Sequence, residues 1–119
     1  MTAMSNPTRG EVWDVQFDPS VGAEIQKVRP AVVVSDSAIG RLPLRIIVPI
    51  TEWKSSYANY PWLINLQPKN TNGLTKESGA DAFQIKSVSI SRFVTRRGRL
   101  ADAEMDDIAS AIALCVDAP

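Results

Sequence analysis

The sequence predicts a mainly β fold with one C-terminal helix, a small β-barrel or coiled sheet on which that helix packs. Three observations carry this. From Glu11 to Leu100 the apolar residues fall in short runs of strand length, cut by Gly, Pro, Asn and Ser. In the last segment their spacing changes to three or four residues, the period of one helix face. And 119 residues, 45% of them hydrophobic, supply one core rather than two.

The elements follow in chain order. Residues 1–8 are small, polar and Pro-containing and read as a flexible N-terminal segment; residues 9–119 read as a single domain. "EVWDVQF" alternates Val12, Asp14 and Gln16 against Trp13, Val15 and Phe17, the period of a half-buried strand. "DPSVG" is turn material, and "RPAVVVS" is a second strand with Pro30 near its start, where a missing donor does least harm. "LRIIVPITEW" is a third, in which Pro49 points to an edge position or a bulge. "PWLINL" is a short fourth strand after the polar loop "KSSYANY". "ADAFQIKSVSI" supplies another, with Phe83, Ile85 and Val88 as apolar positions, and "RRGRL" closes the sheet. Met105, Ile108, Ile112 and Cys115 then mark the helix, with Asp102 as acceptor for its first-turn amides.

Composition removes several function classes. No run reaches the ~18 apolar residues of a membrane span and no secretory core precedes the domain, so a cytoplasmic protein with no membrane partner is expected. With no histidine and Cys115 alone, neither a zinc site nor a Ser-His-Asp or Cys-His mechanism can be built. There is no phosphate-cradling GxxxxGK[ST] loop and no GxGxxG fingerprint. No metal and no cofactor is expected, and catalysis is left to carboxylates, arginine, lysine or hydroxyls. Lys and Arg number 13, as do Asp and Glu, but they are segregated. Lys86, Arg92, Arg96, Arg97 and Arg99 stand between Gln84 and Arg99 with no acid, whereas Asp102, Glu104, Asp106, Asp107 and Asp117 follow with no base. Overall neutrality therefore leaves room for a polyanionic partner on one face.

"RGEVWDVQFDP", "VGAE", "VRPAVVVS", "VPIT", "NGLTKESGADAFQIKSVS" and "GRLADAEMDDIASAI", in that order, resemble the toxins of the MazF/PemK family over roughly residues 9–116. The resemblance implies an SH3-like coiled β-barrel with a C-terminal helix, the fold that CcdB shares, and a homodimer. It implies sequence-specific, metal-independent cleavage of single-stranded RNA to 2′,3′-cyclic phosphate and 5′-hydroxyl ends. A cognate antitoxin, whose acidic or apolar tail occupies the RNA groove, is the implied protein partner. It also implies a catalytic pair, Arg29 and Thr51, with Glu24 in the first loop. The chemistry supports the pair independently: as a 2′-hydroxyl attacks phosphorus, charge grows on the non-bridging oxygens, and a planar guanidinium can donate two parallel hydrogen bonds to them. Thr51 can orient the phosphate through its hydroxyl. Glu24 can accept the 2′-hydroxyl proton or hold Arg29 by a salt bridge, and the second role is slightly favoured.

For RNA contacts, Trp53 is the expected base platform and Trp62 a packing residue. Gln84 and Lys86 match a "Q-[IV]-[RK]" segment that borders the groove in relatives; as alternate strand residues they share a face, Gln84 to read a base edge and Lys86 to meet a phosphate. Two other readings keep the fold without the catalysis. One is a CcdB-like gyrase-binding toxin, disfavoured by the ending "CVDAP", which lacks an aromatic segment; the other is an inactive binding module.

Overall fold

The computed structural model describes residues 6–39 and 42–119. Its strands are β1 (Glu11–Gln16), β2 (Val28–Val33), β3 (Leu44–Glu52), β4 (Leu63–Leu66), β5 (Ser78–Asp81), β6 (Lys86–Ser89) and β7 (Phe93–Arg99), followed by the helix α1 (Asp102–Cys115). They form one antiparallel sheet in the order β4-β5-β3-β2-β1-β7, with β6 also paired to β3. Among the described residues no helix is long and apolar enough to cross a membrane.

Strands β2 and β3 are apolar at consecutive positions because both their faces are covered. Val32, Val48 and Ile50 join one cluster with Val12, Leu66, Leu74, Ala80, Leu100, Met105 and Ile108. Ala31, Val33 and Ile47 join the other, with Val15, Phe17, Val88 and Phe93. The alternation in β1 holds as an assignment of faces: Val12 turns to the first cluster, and Val15 and Phe17 to the second, with Trp13 against them. Each buried Val, Ile, Leu, Met or Phe among them contributes about 1.5–3 kcal/mol relative to exposure, so these two strands form the spine of the molecule.

Pro49 does not mark an edge. Its strand is the most connected of all, and the proline falls where β3 changes partners. Leu44 to Ile47 pair with β6, Ile50 to Glu52 pair with β5, and Pro49 lies between those two ladders, opposite Ala31 of β2. The segment "ADAFQIKSVSI" is likewise not one strand: a single 3-10 turn, Ala82–Gln84, separates β5 from β6.

The hydrogen-bonded sheet does not close into a barrel; β4 and β7 are its ends. The outer edge of β7 is instead taken up by the loop after β4. The Arg99 amide donates to Thr71 O at 2.7 Å, and Arg97 donates to Gly73 O from both Nε and Nη2. Asn72, almost wholly buried, holds that loop in shape by accepting from the Lys69 and Leu74 amides and donating to Gln67 O.

Helix α1 buries Met105, Ile108 and Ala111, with Ile112 against the same cluster. It starts at Asp102, the residue expected to cap it, rather than after it. Ala101 occupies the N-cap position, and Glu104 supplies the side-chain acceptor by reaching back to the Ala101 amide at 2.9 Å. Of the N-terminal segment expected to be loose, residues 1–5 lie outside the described residues. Pro7 is buried, and Arg45 fastens this stretch by donating to Pro7 O and Asn6 Oδ1.

Candidate functional site

Strands β2 and β3 are paired from Val33–Ile47 down to Ala31–Pro49 and then part. Continuing that register by two residues would set Arg29 opposite Thr51. At that level, however, Arg29 is paired with Val15 of β1 and Thr51 with Gly79 of β5, so each strand is held by its outer neighbour. The wedge between them is a groove of about 680 Å³. Val28, Arg29 and Pro30 form one wall and Ile50, Thr51 and Glu52 the other, with Glu24 in the loop before β2 and Lys54 just past β3. The expected pair therefore shares one cavity, and Glu24 lines it too.

The groove's charges are mostly matched. Arg97 Nη1 lies 3.1 Å from Asp14 Oδ1, and Lys76 Nζ lies 3.2 Å from Glu52 Oε2. Arg29, exposed, and Lys54 have no ion-pair partner among the described residues. The salt bridge expected between Glu24 and Arg29 is not formed. Glu24 Oε1 instead accepts the Val21 amide at 2.6 Å, and the Glu24 amide donates to Val21 O, closing a turn that uses the carboxylate locally.

The family described as PemK-like, MazF-like toxin of type II toxin-antitoxin system matches residues 8–116. The chain belongs to the PemK/MazF toxin family. Among curated proteins, the endoribonuclease MazF9 of Mycobacterium tuberculosis is 35% identical over 92% of this chain and 95% of its own length. The probable endoribonuclease MazF5 of the same organism is 36% identical over 98% and 97%. Among solved structures, MazF from Deinococcus radiodurans superposes with a TM-score of 0.79 at 21% identity, covering 95% of this chain and 98% of that one. A mycobacterial endoribonuclease in complex with its cognate antitoxin superposes at 0.74 with 20% identity, over 95% and 97%. These two share the fold.

A second cleft of about 470 Å³ adjoins the toxin's groove, the two having Glu24 and Ile25 in common. Gln84 and Lys86 line it together with Phe17, Ala23, Pro49, Phe83 and Ile85. They do so from different elements, Gln84 ending the 3-10 turn and Lys86 opening β6, rather than as alternate residues of one strand. The Gln84 amide is engaged within the fold: Oε1 accepts from the Ile25 amide at 2.9 Å and Nε2 donates to Asp81 Oδ2 at 3.3 Å. Gln84 thus ties down the loop that carries Glu24.

Trp53 lines neither cavity. Its ring meets Tyr57 edge-on at 5.6 Å and covers Gly79, where a Cβ would come within 3.1 Å of it. Trp62 packs as expected, stacked on Tyr60 with centroids 4.9 Å apart. Lys76, Thr75 and Ser78 are groove residues that sequence reasoning did not single out, and Arg97 was noted only as part of the basic stretch. Arg97 has a structural signature: β1 pairs Trp13 with Arg96 and Val12 with Gly98, so Arg97 is the extra residue of a β-bulge, and bulges re-aim side chains. Phe83 was missed as well. It was expected among the apolar strand positions and is 67% exposed at the cleft's lip.

Proposed function

We propose that this family member is an endoribonuclease toxin that cuts single-stranded RNA at short sequence motifs without a metal ion, in the groove between β2 and β3. The observation that carries this reading is Arg29: a guanidinium with no ion-pair partner among the described residues, in a cavity that Thr51 shares, at the point where two core strands part. The relatives named as endoribonucleases support the same reaction class.

The scissile phosphate lies between Arg29 and Thr51. Arg29 donates two hydrogen bonds to the non-bridging oxygens, and these strengthen as the 2′-oxygen closes on phosphorus and charge accumulates. Thr51 donates one more and fixes the phosphate's orientation. Glu24, free of Arg29, takes the 2′-hydroxyl proton through the carboxylate oxygen that does not hold the Val21 amide. The bond between the 2′-oxygen and phosphorus forms, the bond to the 5′-oxygen breaks, and that oxygen is protonated by water reaching the open groove. The products are a 2′,3′-cyclic phosphate and a 5′-hydroxyl.

A cognate antitoxin is the protein partner, as the antitoxin complex of the mycobacterial neighbour supports. An acidic tail laid in the groove would meet the free charges of Arg29 and Lys54. The working form is a homodimer, and the exposed Ile39, Leu42, Leu44 and Ile46 offer an apolar face for it. The toxin acts in the cytoplasm, where messenger RNA is available. The gyrase-binding alternative finds no counterpart in these endoribonuclease relatives.

The test is incubation of the purified protein with a long single-stranded RNA in EDTA, with both ends of each fragment mapped. Cleavage to cyclic phosphate and 5′-hydroxyl ends is expected. A divalent-metal requirement, or 5′-phosphate ends, would refute the mechanism. Arg29→Ala and Thr51→Val should each lower the rate by about 100-fold or more, the effect of removing one donor aimed at developing charge, with the melting temperature near wild type. An Arg29→Ala variant that unfolds would assign Arg29 to stability instead, as the inactive-module reading requires.

A further inference from the structure

Arg92 belongs to the basic stretch but lines neither the groove nor the cleft; it is half-buried and turned to the neighbouring strand. The ladder between β1 and β7 ends at the pair Val15–Phe93, so past Val15 strand β1 has no backbone partner on that side. The 3-10 turn Ile90–Arg92, capped by the Ser89 hydroxyl accepting from the Ser91 amide, puts the Arg92 guanidinium there instead. Its Nη1 donates to Gln16 O at 3.0 Å and to Asp18 O at 2.7 Å.

Those two carbonyls stand at the neck of the loop 17–27, which carries Glu24. Across the neck, the Phe17 amide donates to Lys27 O at 2.8 Å and the Lys27 amide to Asp18 Oδ1 at 3.0 Å. Lys27, gripped through both its amide and its carbonyl, lies in the left-handed backbone region at φ 64°, which a residue with a side chain seldom adopts unless its surroundings impose it. Two residues further on, Arg29 is fixed by its own pairing with Val15. Glu24 has no such ladder. Apart from its turn with Val21 and the tether from Gln84 to the adjoining Ile25 amide, its place depends on the neck.

We infer that Arg92 is a positioning residue for the reaction: it closes the neck of this loop and so fixes the Glu24 carboxylate against the phosphate held by Arg29 and Thr51. The inference rests on the ribonuclease reading and on Glu24 as the base within it. Without the guanidinium, two carbonyls lose their donor and turn to water, and the neck opens locally while the strands on either side stay paired. Arg92 therefore acts on the chemical step rather than on RNA binding, which separates it from the cations that face the RNA.

The experiment compares the wild type with Arg92→Gln, Arg92→Lys, Glu24→Gln and the double variant carrying Arg92→Gln and Glu24→Gln. The single-turnover rate is measured on a short RNA spanning a mapped cut site, at saturating protein. Affinity and its salt dependence are measured by fluorescence anisotropy on the same RNA with a 2′-deoxy sugar at the attacking nucleotide, which binds without being cut. Arg92→Gln should lower the rate by about 10- to 100-fold, the cost of one charge-assisted hydrogen bond expressed in the barrier, while affinity and salt slope stay at wild type. Arg92→Lys, whose ammonium can still donate to both carbonyls, should recover most of the rate. In the Glu24→Gln background, Arg92→Gln should cost less than about threefold, because the group it positions is already gone.

A loss of equal size in both backgrounds refutes the inference, since Arg92 then acts apart from Glu24. An unchanged rate in Arg92→Gln refutes it as well, and so does a weaker, less salt-dependent complex, which would make Arg92 a phosphate contact. Asp18→Ala frees the Lys27 amide from the other side of the neck and should show the same dependence on Glu24, so the question stays decidable if Arg92→Gln does not fold. Should Glu24→Gln cleave as fast as wild type, this inference falls alone, because the ribonuclease reading is judged by the mapped ends and by Arg29 and Thr51.

Discussion

Gln84, expected to read a base edge, has both ends of its amide engaged within the fold. The motif around it lies at a cleft beside the groove, but side-chain type alone does not say which hydrogen-bond partners a folded chain has already supplied. Here the Ile25 amide and the Asp81 carboxylate occupy the Gln84 amide, which makes it a positioning residue for the loop bearing Glu24. Gln84→Met keeps the length and removes both contacts. The cleavage rate should fall about tenfold, the cost of roughly one such hydrogen bond, by the same factor at every RNA motif, and the Ile25 amide should exchange its hydrogen faster. A changed order of preference among motifs, at unchanged Ile25 exchange, would return Gln84 to base reading. Arg29 and Thr51 were proposed through the family resemblance, and the apolar runs supply only their places, Arg29 just before one run and Thr51 at the end of the next. The exposure of Phe83 was not legible, because an apolar residue in a segment read as a strand looks the same whether it is buried or displayed.

At the scale of elements, the strands with two covered faces were the easiest to see, since burial on both sides leaves an unbroken apolar run. What the sequence did not signal was the bulge in β7 and the loop folded against its edge, because both depend on contacts between distant segments. Gly98 records that contact. A Cβ there would stand 2.4 Å from Thr71 O and under 3 Å from the Asn72 backbone, with no flexible side chain to yield. Gly98→Ala should therefore cost about 1–3 kcal/mol, read as a lower urea midpoint, and should also weaken activity because Arg97 and the groove wall at Leu74 to Lys76 shift with it. Glu11 ties the N-terminal segment to β1 and β7. Burial raises its carboxyl pKa, but the Thr8 amide, the Trp13 indole and the Arg96 guanidinium outweigh that and hold it below its ordinary 4.5. Its contribution to stability is then intact above pH 4.5 and is lost as pH falls through the lowered value of the folded state. In Glu11→Gln the difference in melting temperature from wild type should shrink as the solution is acidified across that window; a constant difference would show that Glu11 ionises alike folded and unfolded.

For the whole molecule, 13 basic and 13 acidic residues cancel, and a partner that is a polyanion must be met locally. The groove achieves this by internal pairing: Asp14 with Arg97 and Glu52 with Lys76 neutralise each other, so that Arg29 and Lys54 remain for a phosphate, with Lys86 next door in the cleft. Few free cations imply few displaced counterions, and RNA binding should depend on salt far less than in a strongly basic nuclease. For single strands each neutralised phosphate contributes about 0.7 to the slope of log K against log salt. Lys54→Gln and Lys86→Gln should each reduce the slope for the uncleavable RNA by about 0.7, and the double variant by the sum, because the two lysines line separate cavities. A substitution that weakens binding equally at every salt concentration would remove that lysine from phosphate contact. A wild-type slope several times larger would mean that the strand leaves the groove and runs over the basic stretch of β7, along Arg96 and Arg99.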